Sequence, residues 1–141
     1  MLYKRLGNET DTNRIINQAF LDKKRLVFPV TDEKSGKITP YYADSSTEFV
    51  SGGFSVSEPE SIEIATPKDI DIIIVPGIAF DKTGARVGFG KGCYDMFLPK
   101  TKAVKIGFCY DFQLADSVPS DKHDIKMDYI ITEKGIIDCQ K

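Results

Sequence analysis

Four apolar runs, separated by polar and glycine-containing segments, dominate the pattern of the chain. The clearest is IDIIIVPG, residues 70–77, which is continuously apolar, as expected of a strand that is covered on both faces of a sheet. AVKIGFCY, residues 103–110, has the character of a second buried strand. RLVFPV at 25–30 and DYIIT at 128–132 are two further predicted strands. The apolar pattern therefore predicts a buried sheet.

Amphipathic stretches between these runs predict two helices. In DTNRIINQAFLDKK, residues 11–24, the apolar residues fall on one side, and Asp11 or Thr12 can cap the start. A second helix is predicted for CYDMFLPK, residues 93–100, where a proline limits its length. Because strands and helices alternate, we expect one α/β domain over residues 1–141, a three-layer α/β/α sandwich around a mostly parallel sheet.

The remaining segments have weaker patterns. MLYKRL is predicted to form a short first strand that ends at Leu6. KITPYYA, residues 37–43, is predicted as an edge strand, because Pro40 cannot donate to a strand ladder. Residues 44–53 are interpreted as a short helix or loop, and residues 54–63 as a polar extended segment.

Composition and charge narrow the function classes. With 28% charged and 41% apolar residues, the chain has the composition of a soluble globular domain. A formal net charge of −2 gives no general reason to expect nucleic acid or an anionic membrane as a partner. The three cysteines lack metal-ligand spacing, which favours reduced thiols and a cytoplasmic location. Any anion site must therefore be local.

The stretch RVGFGKGCYD, residues 86–95, is the best candidate for such a site. Its three glycines alternate: Gly88, Gly90 and Gly92. This spacing allows positive φ angles, so successive backbone N–H groups can converge on an anion. Arg86 offers a planar fork for phosphate oxygens and Lys91 a compact positive charge. A plain tight turn is the alternative, because the spacing matches neither the Walker A loop nor the dinucleotide fingerprint.

Two aspartates near predicted strand ends are candidate metal ligands. Asp95 lies at the edge of the glycine stretch, where a carboxylate can hold Mg²⁺ if phosphates bind, but it can equally cap the helix. Asp124 follows His123, the only histidine of the chain. A lone His–Asp pair in a polar loop is usually solvated surface, so we assign His123 no catalytic role.

Two longer segments carry a family resemblance. PGIAFDKTGARVGFGKGCYDMFL, residues 76–98, closely resembles the signature of the 5-formyltetrahydrofolate cyclo-ligases, also called methenyltetrahydrofolate synthetases. QLADSVPSDKHDIKMDYIITEKG, residues 113–135, is similar to the second signature of that family. The resemblance implies an α/β fold similar to the sugar-phosphate isomerase and CoA-transferase group. It also implies the ATP-dependent closure of 5-formyltetrahydrofolate to 5,10-methenyltetrahydrofolate, with release of ADP and phosphate.

The resemblance also assigns positions around ATP and magnesium. The matching phosphate site consists of Arg86, Gly88, Gly90, Lys91 and Gly92, with Tyr94 beside it. Arg86 and Lys91 are the expected catalytic cations, because the reaction requires positioning of a triphosphate and neutralisation of the transferred group. Asp95 and Asp124 are the expected Mg²⁺ carboxylates.

Three positions match the folate site of the family. Glu9 is expected to hydrogen-bond the pterin ring, and Phe54 falls where the family has an aromatic residue that packs on the folate. Tyr94 is expected near the substrate. The alternatives are that Phe54 is a core aromatic and that Tyr94 only braces the glycine turn.

The chain departs from the family pattern in two respects. Cys93 occupies a position that is commonly tyrosine, which removes one expected folate contact. The family usually has a further N-terminal helical segment with basic residues that touch ATP, so we expect weak ATP binding and self-association as a homodimer. The alternative function is a catalytically weak member that binds nucleotide or folate as a regulatory module. A sugar-phosphate isomerase is disfavoured, because the glycine–lysine signature is not found in those enzymes.

Overall fold

The computed structural model describes all 141 residues of the chain. It contains two α-helices, α1 (Asn13–Leu21) and α2 (Cys93–Phe97). The ten strands are, in chain order, β1 (Leu26–Thr31), β2 (Ile38–Ala43), β3 (Phe49–Ser51), β4 (Ser57–Pro59), β5 (Ile72–Val75), β6 (Ala79–Phe80), β7 (Arg86–Val87), β8 (Val104–Phe108), β9 (Tyr129–Thr132) and β10 (Gly135–Asp138). Four 3-10 turns complete the secondary structure: Gly53–Ser55, Pro67–Asp69, Leu98–Lys100 and Asp111–Gln113.

A four-stranded sheet with the order β10–β9–β8–β5 forms the centre of the protein. Strand β8 pairs in parallel with β5 and with β9, and β10 runs antiparallel to β9. The other three pairs, β1–β2, β3–β4 and β6–β7, are antiparallel. The fold is therefore α/β, and its parallel strand pairs are β5–β8 and β8–β9.

The first residues of the chain join the central sheet to β1. The Leu2 N–H donates to the Val27 carbonyl at 2.9 Å, and the Ile74 N–H donates to the Met1 carbonyl at 2.9 Å. The side chains of Leu2 and Tyr3 are buried. The start of the chain therefore lies between β1 and β5, but residues 1–6 are not a strand, so the prediction of a short first strand is wrong.

Two apolar clusters stabilise this arrangement. The larger has 13 buried residues, including Ile73 and Ile130, which are fully buried in β5 and β9. The smaller lies between α1 and β1 and consists of Leu2, Ile16, Leu26 and Phe28. Burial of one such aliphatic or aromatic side chain stabilises the fold by about 1.5–3 kcal/mol. Ile16 is the only buried residue of α1, so this helix depends on the smaller cluster for its attachment.

The structure confirms the four strands predicted from apolar runs and both predicted helices. At the start of α1, Thr12 is the N-cap residue, but its hydroxyl donates to the Tyr3 carbonyl at 2.6 Å instead of accepting a helix N–H. The Asp11 carboxylate accepts the Asn13 N–H at 2.9 Å. Both candidate cap residues therefore make hydrogen bonds at the start of α1, and Thr12 links the helix to the first segment of the chain.

The structure corrects two further predictions. From the sequence, the glycine stretch is expected to follow the buried strand at 70–77, but the short hairpin of β6 and β7 lies between them. The segment 44–53 contains strand β3 and no α-helix. Both errors have one cause, which is that strands of two or three residues are too short to show an alternating pattern.

None of the helices has the length and apolar composition needed to span a membrane. The three cysteines are free thiols: Cys93, Cys109 and Cys139. Cys109 is buried, and this burial raises the pKa of its thiol to about 11.

Candidate active site

Arg86 begins β7, and its side chain is 5% exposed. One terminal nitrogen, Nη1, donates to the Pro76 carbonyl at 3.1 Å, immediately after β5. The other, Nη2, is 3.5 Å from the Asp95 carboxylate, which is a long ion pair. The buried Nε has no hydrogen-bond partner. A buried donor without a partner is costly, so this N–H group is an exception that requires a functional or structural explanation.

The glycine loop, residues 88–92, is an open segment that leads from β7 into α2. Gly90 and Gly92 have φ angles of +89° and +66°, and a Cβ atom at either position would have no atom within 4 Å. Lys91 between them is exposed, and its Nζ lies 5.9 Å from the centroid of the Phe54 ring. The loop therefore presents a cation and free backbone to solvent.

Asp95 connects α2 to the segment that precedes β9. The N-cap position of α2 is Gly92, and no side chain caps the helix, so the interpretation of Asp95 as a helix cap is wrong. Instead, Asp95 Oδ1 accepts the Ile125 N–H at 3.1 Å, while Oδ2 faces Arg86. This carboxylate therefore links the two signature segments of the sequence.

Asp124 directly precedes Ile125, so the fold brings the segments of both candidate metal ligands together. The Asp124 Oδ2 accepts the Asp121 N–H at 2.9 Å. No group of three or more histidine, cysteine or acidic side chains is arranged to hold a metal ion. A shared metal at Asp95 and Asp124 thus stays a prediction.

Glu9 and Tyr94 lie within electrostatic reach of each other. Burial raises the pKa of the Glu9 carboxyl, although the Leu6 N–H, which donates to it at 2.7 Å, opposes this shift. Burial and then the charge of Glu9 raise the pKa of the Tyr94 phenol, and Arg86 opposes them. The Arg86 guanidinium is 5.7 Å from the Tyr94 ring centroid. Tyr94 therefore lies near the predicted phosphate residue Arg86 and within electrostatic reach of the predicted folate residue Glu9.

Phe54 lies in the 3-10 turn before β4 and is half-buried. It belongs to neither apolar cluster, so the alternative that it is a core aromatic is wrong. Its ring faces Lys91 in the glycine loop, which is 37 residues later in sequence.

Two residues that the sequence did not single out support this site. Gln113 Nε2 donates to the carbonyls of Gly77 and Ile78 at 3.1 Å each, which holds the segment that follows β5. The Asp81 carboxylate is buried and accepts N–H bonds from the hairpin turn and from Val118. The run DKTG could have indicated a hairpin turn, since Asp and Gly favour such positions. No comparable signal marks Gln113.

Two concavities lie elsewhere, beside α1. One of about 550 Å³ is lined by residues that include Lys4, Phe20 and Phe49. Another of about 390 Å³ includes Lys24 and Tyr42. Neither contains a residue of the glycine loop. The assignment of the candidate site therefore depends on the chemistry of its side chains.

Comparison with known proteins gives a consistent result. A family model described as the 5-formyltetrahydrofolate cyclo-ligase family matches residues 1–133. The chain is 32% identical to a 5-formyltetrahydrofolate cyclo-ligase of Saccharomyces cerevisiae, over 92% of this chain and 72% of that protein. It is 29% identical to the Escherichia coli protein of that name, over 91% of this chain and 74% of that one.

A solved structure shows the same similarity. The NMR structure of Aquifex aeolicus 5,10-methenyltetrahydrofolate synthetase superposes with a TM-score of 0.84 at 35% identity. The match covers 99% of this chain and 71% of that one.

Proposed function

The chain belongs to the 5-formyltetrahydrofolate cyclo-ligase family, and we propose that it closes 5-formyltetrahydrofolate to 5,10-methenyltetrahydrofolate at the expense of ATP. One observation supports this proposal most directly. A buried arginine with an unpaired donor lies beside Tyr94, which is within electrostatic reach of Glu9, and an exposed lysine on the open glycine loop faces Phe54. A triphosphate and a reduced pterin are the two ligands that such a surface fits.

The chemistry requires activation of a poor leaving group. The formyl oxygen attacks the terminal phosphorus of ATP, which forms an oxygen–phosphorus bond and releases ADP. The second folate nitrogen then attacks the activated formyl carbon and loses its proton. The carbon–oxygen bond breaks, and the oxygen leaves as part of inorganic phosphate. Such a sequence depends on positioning and charge neutralisation more than on a protein nucleophile.

Each part of the site has a role in this sequence. Lys91 and the N–H groups of the glycine loop bind phosphate oxygens, and the Arg86 guanidinium adds positive charge beside them. Tyr94 holds the arginine against the folate side of the site. Glu9 accepts hydrogen bonds from the pterin ring, and Phe54 packs on the folate. The raised pKa of Glu9 is consistent with a carboxyl group that has little water around it.

The proposal includes Mg²⁺ at Asp95 and Asp124. Mg²⁺ is commonly bound by one or two protein carboxylates and keeps several waters, so two aspartates are a suitable set of protein ligands. When bound, the ion would neutralise part of the phosphate charge. Asp124→Asn is expected to raise the Mg²⁺ concentration required for nucleotide binding, measured by calorimetry. An unchanged requirement, together with a lower melting temperature, would assign Asp124 a structural role only.

The finer fold assignment is part of this proposal. The parallel strands β5, β8 and β9 are compatible with a three-layer sandwich like that of the sugar-phosphate isomerase and CoA-transferase group. The proposal also includes a cytoplasmic location, which the three unpaired cysteines favour. It includes no nucleic acid or membrane partner, since a net charge of −2 gives no general reason to expect one.

The decisive experiment follows product formation by absorbance. Purified protein is mixed with 5-formyltetrahydrofolate, ATP and Mg²⁺, and methenyltetrahydrofolate is detected directly. Turnover that depends on ATP supports the enzyme. Binding of both ligands by calorimetry without turnover would instead support the alternative, a regulatory binding module, which no comparison favours.

A further inference from the structure

The turn that presents Phe54 has an unusual backbone. Phe54 and Ser55 have φ angles of +56° and +60°, in the left-handed region that residues other than glycine rarely adopt. Two consecutive residues in this region persist only where the surroundings impose the conformation, and such positions cluster at functional sites. Some contact must therefore hold this turn.

Two carboxylates hold the turn through its backbone N–H groups. Glu58 Oε1 accepts the Gly53 N–H at 3.2 Å and also the Thr31 N–H at 3.1 Å, at the end of β1. Glu33 Oε1 accepts the Phe54 N–H at 2.6 Å. A Cβ atom on residue 53 would lie 2.3 Å from the Thr31 carbonyl, so the turn and β1 approach each other as closely as glycine permits.

Glu58 is the anchor that joins the turn to the rest of the protein. Its single oxygen binds both the turn and the end of β1, and it is partly buried, whereas Glu33 binds the turn alone from an exposed position. The result is the contact between Phe54 and Lys91, with 5.9 Å between Nζ and the ring centroid.

We propose that Glu58 is a positioning residue for the folate site. It holds Phe54 in the left-handed conformation beside Lys91, so that the aromatic surface for the folate and the cation for the ATP phosphates lie next to each other. This inference rests on the proposed function for the identity of the two ligands. Its structural part, the control of Phe54 by Glu58, does not depend on turnover.

The chain contains no tryptophan, so Phe54→Trp introduces a single fluorescent reporter into the turn. In this background, Glu58→Ala is expected to increase quenching of the tryptophan by acrylamide, because the released turn exposes the ring. Glu58→Gln should restore the original quenching, since its amide oxygen can accept the same two N–H groups. Glu60→Ala is the matched control, because Glu60 is exposed and its side chain makes no hydrogen bond or ion pair.

Kinetics test the functional part. In the otherwise native chain, Glu58→Ala should raise KM for 5-formyltetrahydrofolate about tenfold and change KM for ATP less than about twofold. In a Phe54→Ala background, Glu58→Ala should have almost no further effect, because the residue through which it acts is gone. Should Glu58→Ala fail to fold by circular dichroism, Glu58→Asp replaces it in both measurements.

Two results overturn the proposal. The first is equal quenching with and without Glu58, and the second is an effect on folate KM that persists in the Phe54→Ala background. If the native chain binds both ligands without turnover, the proposed activity fails. The quenching measurement and folate affinity by calorimetry then decide the role of Glu58 independently.

Discussion

The β6–β7 hairpin and the glycine loop that follows it are neighbours in sequence, but their backbones are held in opposite ways. In the hairpin, the buried Asp81 carboxylate accepts N–H bonds from three residues, and a Cβ atom at Gly84 would lie 2.4 Å from the Met127 carbonyl. In the loop, a Cβ atom at Gly90 or Gly92 would contact nothing. Glycines with positive φ thus serve packing in the hairpin and leave the backbone accessible in the loop.

This difference suggests that the hairpin has a structural role and the loop a binding role. The hairpin fixes Arg86 at its end, and the Arg86 side chain donates a hydrogen bond to the Pro76 carbonyl, immediately after β5. The loop begins two residues later and has freedom to adapt to a ligand. Loss of the Asp81 contacts in the hairpin should therefore change stability, whereas loss of the Lys91 side chain in the loop should change ligand binding.

The largest expected effect is on the hairpin. Asp81→Ala removes the acceptor of several N–H groups, including the buried donors of Ala85 and Val118. The free energy of unfolding should fall by about 3 kcal/mol or more, because buried donors lose a charged partner. Urea unfolding measures this loss, and Asp116→Ala, at an exposed residue without side-chain bonds, is the control. A loss no larger than that of the control would show that the hairpin is held by other contacts.

The second effect is on the loop. Lys91→Ala should weaken ATP binding by about 1–3 kcal/mol, the range for loss of a charge-assisted hydrogen bond. Stability should hardly change, because Lys91 is exposed. Calorimetric titration with ATP measures the affinity, and Lys82→Ala in the hairpin is the matched control. Equal affinity in the native chain and Lys91→Ala would remove Lys91 from the phosphate site.

A third, smaller effect separates two kinds of glycine. Gly90→Ala should cost about 1–2 kcal/mol of stability, the price of a left-handed conformation for a residue with a Cβ atom. Gly84→Ala has the same conformational cost, at a φ of +90°, and adds the collision with Met127. Thermal unfolding of both variants should therefore show a clearly lower melting temperature for Gly84→Ala. Equal melting temperatures would contradict the distinction between the two regions.

Long apolar runs made much of the fold predictable. The strands β1, β5, β8 and β9 begin and end within two residues of their predicted limits. Their burial depends on composition over several consecutive residues, which the sequence displays directly. The strands β3, β4, β6 and β7 have two or three residues each, so their pairing depends on tertiary contacts that no local pattern shows.

The site was predictable in its residue types and less so in its contacts. Gly90, Lys91 and Gly92 form an open loop with the positive φ angles that the spacing indicated, whereas Gly88 lacks a positive φ and packs against Arg86. The contact between Gln113 and the Gly77 carbonyl joins residues 36 positions apart, and it depends on the parallel pairing of β5 with β8. Likewise, the burial of Arg86 follows from the hairpin, which the sequence pattern did not reveal.

The smallest expected effect is a change in the pH dependence of stability. It distinguishes the Asp81 carboxyl of the hairpin from the Glu9 carboxyl of the candidate site. Burial alone raises the pKa of Asp81, but hydrogen bonds from Thr83, Val118 and Ala85 outweigh it, so the pKa lies below its ordinary value of 3.8. The unfolded chain then binds a proton more readily, and the stability due to Asp81 is lost as pH falls through this range. The pKa of Glu9 is raised above its ordinary value of 4.5, chiefly by burial, so stability is lost as pH rises through the range above that value.

Melting temperatures measured from about pH 3 to about pH 7 should show the loss due to Asp81 at the acidic end of the profile and the loss due to Glu9 at the other end. Asp81→Asn should flatten the acidic side only, and Glu9→Gln the other side only. An acidic side that is unchanged in Asp81→Asn would mean that the hairpin does not depend on an ionised carboxylate.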